Sequence, residues 1–423
     1  MFMSRIVSRR GFLTTTVGAA ATTAIPWLFQ AASQASVAPR LIEDPDGILD
    51  LPEGFSYRVV QQAGSLMTDG FEAPLAPDGM ACFEDLKGNL ILMRNHEIHK
   101  GRPVKKKLAF SVKRAGGVTR LVLDPNSAVL KSSNWVLTGT SRNCAGGATP
   151  YGWLSCEETE EDGHGFVFLC DPSATQIKAP DRLPSLGRFS HEAAAFDPKT
   201  GITYLTEDKK DSAIYRHVPT SITQPFADGA LEALRVKDKP GFDLSSGPLK
   251  GESFPVEWVT IDEPEAEFFS TRDQAHERGA AFFSRGEGAF FFERSAYFCS
   301  TNGGPVERGQ LYKLDVASGL NSDLLTLVAQ AEAEDSLDRP DNVAVAPWGD
   351  VFVAEDGGKP NGIYQIDPKG KAHLVARNAI DGGDSEISGI CFSPNGKWLF
   401  LNIQWAGLTL AVSGPFSSLA YQA

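Results

Sequence analysis

Residues 339–357 read RPDNVAVAPWGDVFVAEDG, and this stretch carries the pattern that decides the fold. Two short apolar runs, NVAVA and VFVAE, are separated by a turn that contains Pro347 and Gly349. β-Branched and aromatic residues on both sides of such a turn are typical of a β-hairpin. The second run ends on two acids, Glu355 and Asp356.

The same unit recurs along the chain. Each copy has a Gly or polar turn residue, an apolar strand and a polar or acidic strand end. The copies are residues 88–97, 152–159, 201–208, 295–304, 349–357 and 396–404. Most follow a partner strand, as HEAAAFDPKTG precedes ITYLTED and ISGICFSPNGK precedes WLFLNIQ. A multi-stranded unit repeated about every 40–50 residues is typical of a propeller blade.

We therefore predict an all-β protein, a six-bladed β-propeller with an insertion around residues 219–275. That segment shows few clean strand pairs and contains the acidic run 262–267. Helical folds are disfavoured because the apolar runs are short and interrupted every few residues. A β-sandwich with long loops is the structural alternative, but it would not readily explain six similar strand ends.

The N-terminus resembles a twin-arginine export signal. Residues 8–13 read SRRGFL, and a moderately apolar stretch and Ala-rich small residues follow. We predict that residues 1–38 are a cleaved signal peptide and residues 39–423 a single propeller domain. The protein would then use the twin-arginine export machinery and be periplasmic or secreted. Because that route carries folded proteins, it suits an enzyme that acquires metals before export.

Composition limits the partners. The formal net charge is −13 at pH 7, which disfavours nucleic acid and anionic lipid as partners. We expect no stable membrane insertion, because no segment beyond the leader is long and apolar enough to span a bilayer. We also expect a monomer. The six cysteines show no CxxC spacing, so the disulfide pattern stays open.

Acidic residues fall at the same point of the repeated unit. In a propeller, equivalent strand ends converge on the central channel, so such side chains would share one site. The strand ends in question are Asn95-His96-Glu97, Cys156-Glu157-Glu158, Glu207-Asp208, Thr301-Asn302 and Glu355-Asp356, and the partner strands begin with His191-Glu192, Arg285-Gly286-Glu287 and Asp341-Asn342. Converging carboxylates require cations to offset their repulsion.

The donor types indicate which cations would fit. Carboxylate and amide oxygens suit Ca²⁺, whereas a thiolate such as that of Cys156 suits a transition metal, iron or zinc. The planar donor fork of Arg285 suits a phosphate group. Each residue also has a structural interpretation, since a single acid at a strand end is usually a solvated turn.

At these residues the sequence resembles the PhoX-type alkaline phosphatases. The matching segments are 77–97, 149–159, 187–208, 283–291 and 339–357. The resemblance implies a propeller that binds Fe³⁺ and Ca²⁺ and hydrolyses phosphomonoesters. It implies that Arg285 holds the substrate phosphate. The metal ligands it implies are Cys156, Glu157, Glu192, Glu207, Glu287, Asp341, Glu355 and Asp356.

Two other functions remain open from the sequence. A calcium-dependent lactonase or esterase also uses acids and amides in a propeller channel, but it needs no thiolate. A non-enzymatic propeller that binds a partner needs no packed carboxylates, and fold alone does not decide function. We favour metal-assisted hydrolysis of a phosphomonoester without a covalent protein intermediate, because no Ser or Thr stands out as a nucleophile.

Overall fold

Short antiparallel strands make up almost all of the regular structure in the computed structural model, which describes residues 40–317, 322–332, 337–358 and 360–419. The predicted signal peptide, residues 1–38, lies outside the described residues. The prediction of an all-β fold is confirmed. The described helices include none that is both long and apolar enough to cross a membrane.

The strands follow one another as up-and-down meanders. The N-terminal strands are β1 (Leu41–Ile42), β2 (Leu49–Pro52) and β3 (Ser56–Gln62). The first meander is β4 (Pro77–Glu84), β5 (Leu90–His96), β6 (Gly116–Leu123) and β7 (Leu130–Thr140). The second is β8 (Asn143–Thr149), β9 (Gly152–Glu157) and β10 (Val167–Cys170). The third is β11 (His191–Phe196), β12 (Thr203–Glu207), β13 (Tyr215–Pro219) and β14 (Gly229–Val236).

The strand β15 (Ser253–Thr260) and the helix α1 (Thr271–Glu277) separate the third meander from the fourth. The fourth is β16 (Gly286–Phe292), β17 (Ser295–Ser300), β18 (Gln310–Asp315) and β19 (Leu324–Gln330). The fifth is β20 (Pro340–Val345), β21 (Val351–Glu355), β22 (Gly362–Ile366) and β23 (Ala372–Asn378). The sixth is β24 (Ile387–Phe392), β25 (Leu399–Ile403) and β26 (Leu408–Ser413). Short 3₁₀ turns occur at Lys106–Leu108, Pro184–Leu186, Ile380–Gly383 and Phe416–Leu419.

The first strands of the meanders form a closed ring. β4 packs against β8, β8 against β11, β11 against β16, β16 against β20, β20 against β24, and β24 against β4. The arrangement is therefore propeller-like, with these strands lining the centre. β15 pairs with both β14 and β19, so the described strands form five hydrogen-bonded sheets, and the six-blade count stays a prediction.

N-terminal strands complete the last two meanders. β3 pairs with β26, so the chain's start supplies the outer strand of the sixth meander, and β2 pairs with β23 of the fifth. The buried guanidinium of Arg94, in β5 of the first meander, reaches the sixth meander. It donates to Gln61 Oε1 of β3 at 2.7 Å and to Thr409 Oγ1 of β26 at 2.6 Å. Buried polar groups need such partners, so this network specifies how the ring closes.

Apolar side chains fill the spaces between neighbouring meanders. Between the third and fourth, Tyr204, Phe298 and Tyr312 are fully buried in one cluster. Each large side chain removed from water contributes roughly 2–3 kcal/mol, so these seams hold the ring together. The channel is thereby fixed by cores that lie away from it.

The predicted insertion around residues 219–275 is more regular than its sequence indicates. β14 is the fourth strand of its meander, and it pairs with β15 over a register that includes Leu234 opposite Trp258. The expectation of few strand pairs is therefore wrong for this segment. The two strands are hard to recognise in the sequence because β14 and β15 are partly exposed and therefore contain polar residues. Some of these form ion pairs such as Arg235–Glu257, at 2.6 Å.

Candidate functional site

Each of the six first strands contains an irregularity close to its start. The register shifts lie between Pro77 and Met80, Asn143 and Gly146, His191 and Ala194, Gly286 and Ala289, Pro340 and Asn342, and Ser388 and Cys391. A β-bulge locally breaks the ladder and redirects a side chain. All six meanders therefore change course at one end of the ring, and we call this the site end.

One residue at or inside each bulge occupies an equivalent position. It follows the residue that pairs with the last residue of the second strand, as Pro77 pairs with His96 and Pro340 with Glu355. These positions, which we call the inner ring, hold Asp78, Cys144, Glu192, Glu287, Asp341 and Ser388. Four carboxyls and one thiol thus enter the channel from different meanders.

A second set of equivalent positions immediately follows the second strands. We call this the outer ring, and its residues are Glu97, Glu158, Asp208, Thr301, Asp356 and Gln404. In every meander its backbone N–H donates to the residue just before the first strand, at 3.0–3.3 Å. The acceptors are the carbonyls of Ala76, Arg142, Ser190, Arg285, Arg339 and Glu386. This repeated hydrogen bond fixes the outer ring next to the inner ring.

The two rings and Glu386 bring nine carboxyl groups together. They are Asp78, Glu97, Glu158, Glu192, Asp208, Glu287, Asp341, Asp356 and Glu386. Burial raises the pKa of Glu192 well above its ordinary value, and repulsion from Glu287 and other acids raises it further. Burial likewise raises the pKa of Glu158 to about 8, although Arg142 opposes the shift. Such a cluster strongly favours protons or cations.

Three arginines border this cluster in a strained backbone conformation. Arg142, Arg285 and Arg339 precede the first strands of their meanders with φ of 51°, 50° and 53°. A non-Gly residue in the left-handed region costs about 1–2 kcal/mol, so the surrounding structure must enforce it. Strain of this kind concentrates at functional sites because it points a side chain where the regular ladder could not.

The arginines differ in how many acids hold them. Arg285 Nε lies 2.5 Å from Asp208 Oδ1 and Nη2 donates to Glu287 Oε1 at 2.9 Å, while 41% of its side chain stays exposed. Arg142 Nη2 contacts Glu158 and lies 3.1 Å from Glu97 Oε1. Arg339 is exposed and makes no ion pair with any described residue. Arg285 and Arg339 therefore keep donors free for an anion.

The predicted site residues Glu192, Glu287, Asp341 and Asp356 all lie in the carboxyl cluster. The structure also brings Arg285 to it, as the sequence predicts for a phosphate-binding group. No described residue forms a hydrogen bond or an ion pair with the carboxylates of Glu192 and Asp341. These two acids are therefore unpartnered within the described structure.

Glu157 and Glu355 lie one residue before the outer ring and face away from it. Glu157 accepts from Ser141 N at 2.8 Å, His164 Nδ1 at 2.8 Å and Gly165 N at 2.9 Å. Glu355 accepts from Asp338 N at 2.7 Å and from Gly362 N at 3.3 Å. Both carboxylates are satisfied by neighbouring loops, as buried acids require.

Glu207 occupies the corresponding place in the third meander. Its Oε1 accepts from Arg272 Nη1 at 2.8 Å and its Oε2 from Tyr215 OH at 2.9 Å. Burial raises the pKa of Glu207 to about 7 in spite of the attraction of Arg272. This acid anchors α1 to the third meander, whereas the adjacent Asp208 lies in the cluster.

The two thiols of the second meander have different surroundings. Cys156 is fully buried in an apolar cluster with Leu154 and Val167, and burial alone raises its pKa. Cys144 occupies the inner ring, with its Sγ 3.3 Å from the carbonyl of His191. Burial and then repulsion from Glu192 and other acids raise the pKa of the Cys144 thiol. Cys144 therefore lies beside the carboxyl cluster, whereas no acid of the cluster contributes to the raised pKa of Cys156.

Sequence reasoning missed Asp78, Cys144 and Glu386 of the cluster, and Arg142 and Arg339 at its border. It named Glu97, Glu158 and Asp208 at the converging strand ends but did not include them among the metal ligands. The available signal was strand alternation, because neighbouring residues of a strand face opposite sides and one position of error exchanges the two faces. The bulges removed the simple alternation at this end, so the correct register could not be counted from sequence.

The donor set can be tested against the metals that the resemblance implies. In the described residues, no three His, Cys, Asp or Glu side chains already form a complete metal-binding group. The chemistry of the set nevertheless fits cations. Nine carboxyls share a channel with Arg142 and Arg285, and several, including Glu192 and Asp341, have no hydrogen-bond or ion-pair partner among the residues that the structure describes. Oxygen donors of this kind suit Ca²⁺, and the Cys144 thiol adds a donor for a softer metal.

Comparison with known proteins identifies the family of the chain. The profile of the family described as alkaline phosphatase PhoX matches residues 38–134 and 124–407. The structure of Pseudomonas fluorescens PhoX in complex with vanadate, a transition state analogue, is similar to this one, with a TM-score of 0.69 and 17% sequence identity. The aligned region covers 91% of this chain and 98% of that chain.

Other solved structures align less well. A gluconolactonase from Xanthomonas campestris reaches a TM-score of 0.38 at 14% identity over 90% of this chain and 99% of its own. No curated protein sequence matches the chain. The family profile extends over nearly all of the described residues and confirms the resemblance seen in the sequence. The chain therefore belongs to the alkaline phosphatase PhoX family.

Proposed function

We propose that this protein hydrolyses phosphomonoesters at the site end of the channel, using metal ions held by the two rings. The observation that carries the proposal is the buried cluster of nine carboxyls, which is bordered by three arginines with a left-handed backbone conformation. Carboxylates that lack partners attract cations, and arginines that keep free donors attract phosphate. Membership of an alkaline phosphatase family makes the ester of phosphoric acid the expected substrate.

We assign the metals by donor chemistry. Cys144, with Glu158 and Glu192 nearby, would hold the Fe³⁺ ions that the family implies, because a thiolate suits a transition metal. The all-oxygen part of the cluster would hold Ca²⁺ through Asp78 and Asp341 together with neighbouring acids. When bound, the metals supply positive charge that stabilises the phosphate oxygens and makes water more acidic.

The protein's own groups would bind and orient the substrate. Arg285 is held by Asp208 and Glu287, so its guanidinium has a fixed position while part of the side chain stays exposed. Arg339 adds a second cation, which forms no ion pair with any residue in the described part of the chain. Two guanidinium groups that are already positioned hold a phosphate without much loss of side-chain freedom. Arg142, bound to Glu97 and Glu158, keeps the adjacent acids in place.

The wider setting is part of the same proposal. We propose that the ring is a six-bladed propeller, supported by six first strands with equivalent bulges and equivalent hydrogen bonds. We propose that a twin-arginine leader, residues 1–38, directs the protein to the periplasm or outside the cell. We propose that it acts there as a monomer.

The experiment that tests the function combines metal analysis with an assay. Protein purified after native export is analysed for iron and calcium and assayed on 4-nitrophenyl phosphate with and without chelator. Iron together with calcium and chelator-sensitive hydrolysis would support the proposal. Calcium alone with lactone hydrolysis would favour a lactonase, and absence of both metals and both activities would favour a binding propeller.

Matched variants sharpen the test. Glu158→Gln removes a carboxylate from the cluster, whereas Glu157→Gln changes the adjacent acid that binds loop backbone. We expect Glu158→Gln to lose metal and at least about a hundredfold in kcat/KM. Glu157→Gln should mainly lower thermal stability, so equal metal loss in both variants would contradict the assignment.

A further inference from the structure

A tryptophan is exposed at the site end of the sixth meander. Residues 404–407 form the turn between β25 and β26, in which Gly407 N donates to Gln404 O at 3.0 Å. Trp405 follows Gln404 of the outer ring and is 67% exposed. Tryptophan is mostly buried in folded proteins because its ring system is large and apolar. An indole in solvent beside a polar site is therefore a candidate for contact with a ligand.

The exposed indole distinguishes this position from its equivalents in the other meanders. The residues that directly follow the outer ring are Ile98, Thr159, Lys209, Asn302, Gly357 and Trp405. Trp405 is the only aromatic residue among these six and the only one that is exposed. The repeated fold therefore does not require an exposed aromatic side chain at this point.

Hydrogen bonds hold the turn against the carboxyl cluster. Gln404 Nε2 donates to Asp78 Oδ2 at 3.2 Å and to Glu97 Oε2 at 3.1 Å. The backbone N–H of Trp405 donates to Ser385 Oγ at 2.9 Å. Successive Cα atoms are about 3.8 Å apart, so the indole begins one residue away from a side chain that contacts two acids of the cluster.

A second apolar side chain borders the same part of the entrance. Leu75 is 65% exposed and lies just before the first meander, which packs against the sixth. Its carbonyl oxygen lies 2.9 Å from Nδ1 of His96, the residue before Glu97. We call Leu75 and Trp405 the apolar corner. Two side chains offer far less area than the roughly 1,200 Å² of a stable protein–protein interface, so the corner suits a small molecule.

The apolar corner lies next to the arginine-bearing side of the entrance. Arg339 belongs to the fifth meander, which neighbours the sixth in the ring. The charge of Arg339 acts on Asp356, and repulsion from Asp356 contributes to the raised pKa of Glu386. The carbonyl of Glu386 accepts from Gln404 N at 3.3 Å, and Trp405 is the next residue. A molecule whose phosphate binds at Arg339 can therefore reach the corner with the group attached to that phosphate.

We propose that Trp405 stacks on a planar aromatic leaving group, so that the enzyme prefers aryl phosphomonoesters to those of small aliphatic alcohols. The inference rests on the proposed function and specifies its substrate class. Arg285 and Arg339 would hold the phosphate, and the aromatic group would extend over the sixth meander, where Leu75 borders it. Stacking on an aromatic side chain needs no hydrogen bonds, so it selects planar rings as a class.

The test compares an aryl ester with an aliphatic one. We expect Trp405→Ala to lower kcat/KM for 4-nitrophenyl phosphate about tenfold, and kcat/KM for glycerol 3-phosphate by less than about twofold. Trp405→Phe should recover most of the loss, because phenylalanine keeps an aromatic face. Equal losses on both substrates, or an unchanged kcat/KM for the aryl ester in Trp405→Ala, would overturn the inference.

Trp348 provides the matched control. It lies in the turn between β20 and β21, at the opposite end of the fifth meander, and is 42% exposed. Trp348→Ala should leave both kcat/KM values unchanged, and a loss equal to that of Trp405→Ala would contradict the proposal. If the wild-type protein hydrolyses neither ester, the proposed function fails. Calorimetry with phenyl phosphate on the metal-loaded protein then still tests the corner, and absence of binding, or equal affinity in Trp405→Ala, would overturn the inference.

Discussion

In the absence of cations, the free energy of unfolding of the protein should fall as the pH rises. Burial raises the pKa of Glu158 from 4.5 to about 8, so the folded protein without metals keeps a proton that the unfolded chain loses. Between these values the unfolded state binds fewer protons, and the free energy of unfolding therefore falls with increasing pH. A shift of this size corresponds to on the order of 5 kcal/mol for the one carboxyl, and the raised pKa of Glu192 and Asp341 acts in the same direction.

Urea unfolding in chelator at about pH 5 and about pH 9 measures this effect. Added calcium and iron should remove most of the decrease, because cations bind the deprotonated carboxylates of the folded state. The variant Glu158→Gln provides the control, since an amide has no proton to lose and the pH dependence should become shallower. A free energy of unfolding that stays constant or increases with pH in chelator would refute the electrostatic reasoning.

Three further changes test separate parts of the structure. Cys144→Ser should remove the transition metal and its absorption band, whereas Cys156→Ser should keep the metal and lower stability by about 1–3 kcal/mol; metal loss in Cys156→Ser alone would contradict the assignment. Arg285→Met should lower kcat/KM by about 100-fold or more and Arg339→Met by less, as steady-state kinetics would show; unchanged kinetics would exclude phosphate contact. Burial lowers the pKa of His217 to about 4, so this imidazole stays neutral in the folded protein while the unfolded chain gains a proton below about pH 6.5, and the free energy of unfolding falls as the pH is lowered. His217→Leu should weaken this fall in thermal melts between about pH 4 and pH 7. An unchanged pH dependence in the variant would show that His217 does not cause it.

The general fold could be predicted because its signals are local. Apolar strands, Gly- and Pro-containing turns and acids at the strand ends repeat within a few residues of one another, as in 339–357. Alternation of side chains and turn chemistry depend on near neighbours in sequence. The segment around 219–275 escaped this reasoning because β14 and β15 are partly exposed and their polar residues weaken the alternation.

The candidate site divides along the same line. The sequence alone showed that acids recur at equivalent strand ends, and it predicted a cation site that includes Arg285, Glu192, Glu287, Asp341 and Asp356. Only the tertiary structure decided that Cys144 rather than Cys156 lies beside the carboxyls. Likewise, it placed Glu158 and Asp208 in the cluster. The preceding acids, Glu157 and Glu207, instead accept hydrogen bonds from residues outside the cluster. The physical reason is the bulge that opens each first strand, because a shift of one residue exchanges the two faces of a strand and depends on how the meanders pack into a ring.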